Sequence, residues 1–210
     1  MKEKIFVISA GGHGQVVLDC AREAGFEVLG FLDDDKNLIG KDIQGVRVIG
    51  PSNYAKEIEY SVVVAIGDNH KRKLVVERLA LKEDKYATII HPKAIIGSDV
   101  RILSGSMILG GVVINTSTVI GKHTIINTSS SIDHHNEIGD FVHIAPGVHT
   151  GGFVNIGNQT FVGIGATIIN NITIGSDVII GAGSVVIKDI PDRVTVVGVP
   201  GRIIKRRQEI

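Results

Sequence analysis

From position 90 onward the chain is apolar at every sixth residue. The series runs Ile90, Ile96, Ile102, Ile108, Ile114, Ile120, Ile126, Ile132, Ile138, Ile144, Thr150, Ile156, Val162, Ile168, Ile174, Ile180, Val186. Its one polar member, Thr150, is also β-branched. A second series lies four residues behind the first and carries small or β-branched residues, from Ala94, Val100 and Ser106 to Ile190. Ile-Gly pairs at 120–121, 138–139, 156–157 and 174–175 recur every 18 residues. Three hexads therefore make one coil. Each hexad supplies a short strand, and coils stack at the sheet spacing of about 4.8 Å. The pattern predicts a triangular parallel β-helix of roughly five and a half coils, uninterrupted from Ile90 to Ile190. The Ile column points inward, and the glycines beside it free the backbone at tight corners.

The first 85 residues follow another rhythm. IFVIS (5–9), VLGFL (28–32), VRVIG (46–50) and VVVAIG (62–67) read as strands, the first and last of them buried. Helices are predicted from about Gln15 to Ala24 and from Asn69 to Leu81, with Gly11, Gly12 and Gly14 in the loop before the first. Strands alternating with helices predict a small, doubly wound parallel-sheet domain, Rossmann-like in outline. The expected division is 1–85 for this α/β domain, 86–192 for the β-helix and 193–210 for a C-terminal tail.

Composition agrees with this division. Ile and Val number 59 and Leu only nine, which argues against a helical bundle. Aromatics are 4% and Trp is absent, as a narrow interior requires. Phe141, Phe153 and Phe161 all avoid the inward columns. Lys+Arg and Asp+Glu are each 22, so no net field draws in nucleic acid or an anionic membrane. The single cysteine, Cys20, excludes an intramolecular disulfide framework. No apolar run suits a membrane span and no signal peptide is evident, so a cytoplasmic location is expected.

Candidate chemistry falls in both halves. Ser9-Ala10-Gly11-Gly12-His13-Gly14 follows a first strand and opens a helix, where backbone N–H groups can hold phosphate. Its first position is Ser, so the dinucleotide fingerprint is only partly met. Nucleotide or nucleotide-sugar binding, dinucleotide binding and a plain structural turn all remain open. Asp33 and Asp34 close the second strand, where a carboxylate accepts from ribose or base. Gly67 ends a further strand on the same edge. In the solenoid, Gly152 lies one coil above His134. The missing side chain leaves room for a substrate and an N–H for a developing oxyanion, while an imidazole suits a general base.

The GGHG loop, the FLDD and AIG strand ends, the segment IDHHNEIGDF and the closing VVGVPGRIIK together resemble the bacterial sugar O-/N-acyltransferases. These are hexapeptide-repeat proteins of the sialic acid O-acetyltransferase type, and some act on UDP-linked 4-amino sugars. The resemblance spans essentially the whole chain. It implies a left-handed β-helix, against the usual right-handed crossover. It implies acetyl-CoA as co-substrate, direct attack by the sugar, and His134 as the base. The family's next residue is acidic; here it is His135, with Asp133 as the nearby carboxylate.

The same resemblance implies that His143, Gly152, Ile164, Gly181 and Ala182 line the acetyl-CoA groove. It sets Lys188 and Arg202 toward CoA phosphates and the tail beside them. It assigns Gly11, Gly12, His13, Asp33, Asp34 and Gly67 to the nucleotide sugar. It implies no metal, and a homotrimer with sites between subunits. Three alternatives stand beside this: O-acetylation of sialic acid or another sugar hydroxyl, a nucleotide-sugar-binding scaffold without catalysis, and a zinc lyase using His134, His143 and His149 across an interface.

Overall fold

The computed structural model describes residues 2–207. The N-terminal elements are β1 (Lys4–Ile8), α1 (Gly12–Glu23), β2 (Glu27–Leu32), β3 (Asp42–Ile43), β4 (Val46–Gly50), β5 (Ser61–Val64) and α2 (Asn69–Leu79). They form one sheet in the order β3-β4-β2-β1-β5. All pairings are parallel except β3 with β4, which is antiparallel. The sheet is therefore not wholly parallel, because a tight turn at Gln44-Gly45 adds a short edge hairpin. The carboxyl ends of β1, β2 and β5 share one edge, bringing Ser9, Asp33 and Gly67 to the same side.

Helix α1 starts at Gly12, three residues earlier than predicted. Gly14 thus belongs to its first turn, and the reason for glycine there is proximity: a Cβ would lie 2.0 Å from the Ser9 carbonyl oxygen. Helix α2 ends at Leu79, closed by Ala80 in the left-handed conformation.

The solenoid has three faces of two-residue strands. The first face carries strands from 95–96 to 185–186, the second from 101–102 to 173–174, and the third from 89–90 to 179–180. Pairing is in 18-residue register throughout, for example Val113 opposite Ser131 opposite His149. The inward Ile/Val column is buried from Ile108 to Val186. Its first members are not: Ile90 and Ile96 are 37% and 36% exposed, since no coil lies beneath them.

The second inward column is more polar than its role suggests. Ser106, Thr118, Thr124, Asn136 and Thr160 donate to corner carbonyls of the next coil, at Gly121, Asp133, Gly139, Gly151 and Gly175. Buried corners thereby satisfy their backbone groups.

Two further expectations are corrected. Glycines 121, 139, 157 and 175 are not in the left-handed region; a Cβ at each would strike the following coil at 2.2–2.5 Å. Close stacking, not backbone freedom, requires them. The repeat also loses two residues at its end. Ile190 bridges to Ile174 and Thr195 pairs with Ile179, a register of sixteen. Ile190 therefore caps the first column instead of extending the second. Val194–Val197 then joins the third face, and Arg202–Arg206 folds back on it antiparallel. The last three residues of the expected tail lie outside the described residues.

The α/β domain sits on the lower third face. Val17, Leu18, Cys20 and Ala21 of α1 share a core with Ile89, Met107, Leu109 and Ile125. Burial pushes the Cys20 thiol up to about 12, so it is no nucleophile at neutral pH. The second tie is Arg72, wholly buried on α2. Its guanidinium donates to the carbonyls of His123 (2.7 Å), Ile66 (2.7 Å), Phe141 (3.0 Å) and Val142 (3.2 Å), and to Asn69 Oδ1 (2.8 Å). Burial lowers it to about 9, still a cation at neutral pH.

Candidate active site

His134 and His135 occupy the corner between the first and second faces. His134 is half-buried and His135 exposed. Asn136, fully buried, pins the turn by donating to the carbonyls of Asp133 and Gly151. The Nδ1 atoms of His134 and His135 are 3.1 Å apart. Gly152 lies above: a Cβ there would be 2.5 Å from Cε1 and 2.8 Å from Nε2 of His134. The space above the ring is therefore taken up by the imidazole itself, which only glycine admits.

Asp133 has a different task from orienting the ring. Its Oδ1 accepts from the Asn115 amide (2.8 Å) and the His134 backbone N–H (2.8 Å). These bonds hold its carboxyl below the ordinary range. The hydrogen-bond partner of the His134 ring is His135. At that separation one Nδ1 can donate a hydrogen to the other. When His134 carries it, the lone pair of that ring stands at Nε2, as a base requires.

A second centre forms where the α/β domain meets the third face. His143 Nδ1 lies 2.9 Å from the Gly67 carbonyl and its Nε2 3.1 Å from the Asn127 amide. The His13 ring is 5.9 Å from that of His143. Burial, with Arg72 nearby, lowers both to about 4, so both are neutral at physiological pH. His13 Nε2 is buried with no partner among the described residues, a place for a ligand's polar atom. Beside it lies a cleft of about 450 Å³ whose lining includes Phe161, Ile179, Asn69, His70 and Arg207. Asp177 ties the last two together, accepting from His70 and Arg207.

Gly11 caps α1 without a side-chain bond, so no side chain of the cap residue occupies the first-turn N–H groups of Gly12, His13 and Gly14. Asp33 accepts from the N–H groups of Ala10 and Asp35. Asp34 accepts from Ser52 and Arg78, which hold its carboxyl below the ordinary range against the effect of burial. A small cavity between Asp33, Asp34, Ser9 and Ser52 marks this edge.

The remaining candidates lie elsewhere. Ile164, Gly181 and Ala182 sit at the corner between the third and first faces, with Ile164 61% exposed. Lys188 is exposed on the last coil, and Arg202 is exposed on the closing strand. One chain thus gathers Gly11, Gly12, His13, Asp33, Asp34, Gly67 and His143 on one side, and Asp133, His134, His135 and Gly152 on another corner. His134, His143 and His149 do not converge within one chain. Sequence reasoning missed Arg72, His70 and Arg207, whose charged or polar side chains carry no pattern of their own.

Two family descriptions match the chain. Residues 4–79 match the PglD N-terminal domain and residues 153–188 the bacterial transferase hexapeptide of six repeats. The GDP-perosamine N-acetyltransferase of Escherichia coli O157:H7 is 33% identical over 95% of this chain and 96% of its own. The UDP-N-acetylbacillosamine N-acetyltransferase of Bacillus subtilis is 37% identical over 51% of each. A Caulobacter crescentus PerB structure, solved with CoA and GDP-perosamine, superposes with a TM-score of 0.89 at 35% identity, covering 96% of this chain and 97% of that one.

An α/β domain of this type leading into a hexapeptide β-helix defines an acyltransferase. Within that class, this chain belongs to the hexapeptide-repeat sugar acyltransferases. Among the described residues, no helix is long and apolar enough to cross a membrane.

Proposed function

We propose that the protein transfers acetyl from acetyl-CoA to the 4-amino group of a nucleotide-linked sugar. The observation that carries this is the His134–His135 pair beneath Gly152. It presents one imidazole with a defined partner at Nδ1 and its Nε2 beside a position where only glycine fits. In this reading the neutral amine attacks the thioester carbonyl as Nε2 takes its proton. The tetrahedral intermediate then collapses and expels CoA thiolate, with no enzyme nucleophile involved.

The strand edge of Gly11, Gly12, His13, Asp33, Asp34 and Gly67 would hold the nucleotide sugar. His143, Ile164, Gly181 and Ala182 would line the path of acetyl-CoA, with Lys188 and Arg202 toward its phosphates. Separation of the His134 corner from that edge within one chain supports a site shared between copies, as in a homotrimer. A cytoplasmic enzyme supplying an acetamido sugar for a surface polysaccharide fits these substrates.

Similarity to a GDP-sugar enzyme and a UDP-sugar enzyme supports a nucleotide-linked acceptor. The test is turnover with GDP- and UDP-linked 4-amino sugars against free sialic acid. Acetylation of either amino sugar supports the reading. Acetylation of sialic acid alone replaces it with O-transfer, and turnover with none leaves a binding scaffold.

A further inference from the structure

Phe153 occupies a backbone position that suits it poorly. The third residue of the His134 corner is left-handed in successive coils: φ is 57° at Asp99, 60° at Ser117, 56° at His135, 58° at Phe153 and 59° at Asn171. Asp, Ser and Asn enter that region with help from short polar side chains, which a phenyl ring lacks. Core packing does not explain the choice, since Phe153 is 51% exposed. The chain has one similar pair, His123 stacked on Phe141 at 5.1 Å, but Tyr86 packs on that His123 at 4.6 Å and the α/β domain covers it. That pair fills a junction; Phe153 fills none within the chain.

What Phe153 does touch is the histidine pair. Its ring lies nearly flat on His135, 4.8 Å between centroids at 20°, and edge-on to His134 at 5.2 Å and 84°. An exposed histidine at a left-handed corner would otherwise turn freely between rotamers. Stacking holds its Nδ1 within 3.1 Å of His134 Nδ1. We propose that Phe153 is a positioning residue for the transfer reaction. It pins His135 against His134, so that the shared hydrogen stays between the Nδ1 atoms and Nε2 of His134 remains available. This rests on His134 being the base.

The test compares Phe153→Leu, which keeps apolar bulk without a flat face, with Phe153→Tyr, which keeps the face. Phe153→Leu should lower kcat about ten-fold while Phe153→Tyr stays near wild type. KM for both substrates should stay within about two-fold. In a His135→Ala background, Phe153→Leu should cost nothing further. The ¹⁵N shifts of His134 should show a dominant Nδ1–H form in the wild type and a mixture in Phe153→Leu. Phe153→Asn, matched to the left-handed backbone, supplies the same comparison if the leucine variant melts early. Wild-type kcat without the flat ring, or an equal loss with and without His135, overturns the proposal. If His134→Ala is inactive while Phe153→Leu is unaffected, only this inference falls. If His134→Ala is active, the base assignment falls with it.

Discussion

Gly152→Ala is the smallest change that should disable the His134 corner. The added methyl would stand 2.5 Å from Cε1, 2.8 Å from Nε2 and 3.0 Å from Nδ1 of His134. Ordinary carbon contact is about 3.5–4 Å, so the ring must retreat by about 1 Å. It cannot do so and keep its 3.1 Å contact with His135. A misplacement of that size costs about 100-fold in rate, or about 2.7 kcal/mol of transition-state stabilisation. The backbone at 152 is not left-handed, so alanine itself is unstrained. The gain of roughly 0.4–1 kcal/mol from a stiffer unfolded chain should offset much of the clash. The assay follows thiol release from acetyl-CoA at saturating nucleotide sugar, with a thermal melt alongside. A variant that melts like the wild type and loses about 100-fold supports the geometry. One that keeps activity within about two-fold refutes it.

Three other outcomes are expected. Arg72→Met should cost about 3 kcal/mol or more in urea unfolding, because it orphans buried carbonyls on both sides of the domain junction; a loss below about 1 kcal/mol would deny the clamp. Burial holds His13, His123 and His143 at about 4 against the usual 6.5, so the unfolded chain takes up these protons first. Stability should therefore fall as pH drops from about 6.5 to about 4, and His123→Phe, which removes one such group, should flatten the slope in that window. Finally, mixed trimers of His134→Ala chains with Asp33→Ala, Gly12→Val chains should regain activity that neither parent has. No regain would place base and nucleotide sugar in one chain.

The solenoid was legible because its period is written in side-chain volume. A column of Ile at every sixth position has few other uses, and Gly152 over His134 followed from the 18-residue register alone. What escaped depends on which face meets which. Arg72 reads as one more cation on a polar helix, and only docking on the third face buries it. His143 was assigned to the acetyl-CoA groove by resemblance, but its contact with the Gly67 carbonyl depends on where the α/β domain docks. Asp133 looked like a substitute acid, yet local geometry spends it on Asn115 and its neighbour's N–H. The polar second column hid for a related reason. Ser, Thr and Asn are small enough to pass as filler, while their work is to satisfy carbonyls a coil away. The glycine columns were found for the wrong cause, since spacing reveals where a side chain is missing but not whether torsion or contact demands it.

His134 is proposed to take the proton from the attacking sugar amine. The most direct test is kcat/KM for acetyl transfer by His134→Ala, with nucleotide-sugar and CoA binding measured by calorimetry on the same protein. The variant should lose about 10²–10⁴ with both ligands still bound and the melting midpoint unchanged. A loss below about ten-fold in a folded, ligand-binding variant would contradict that role.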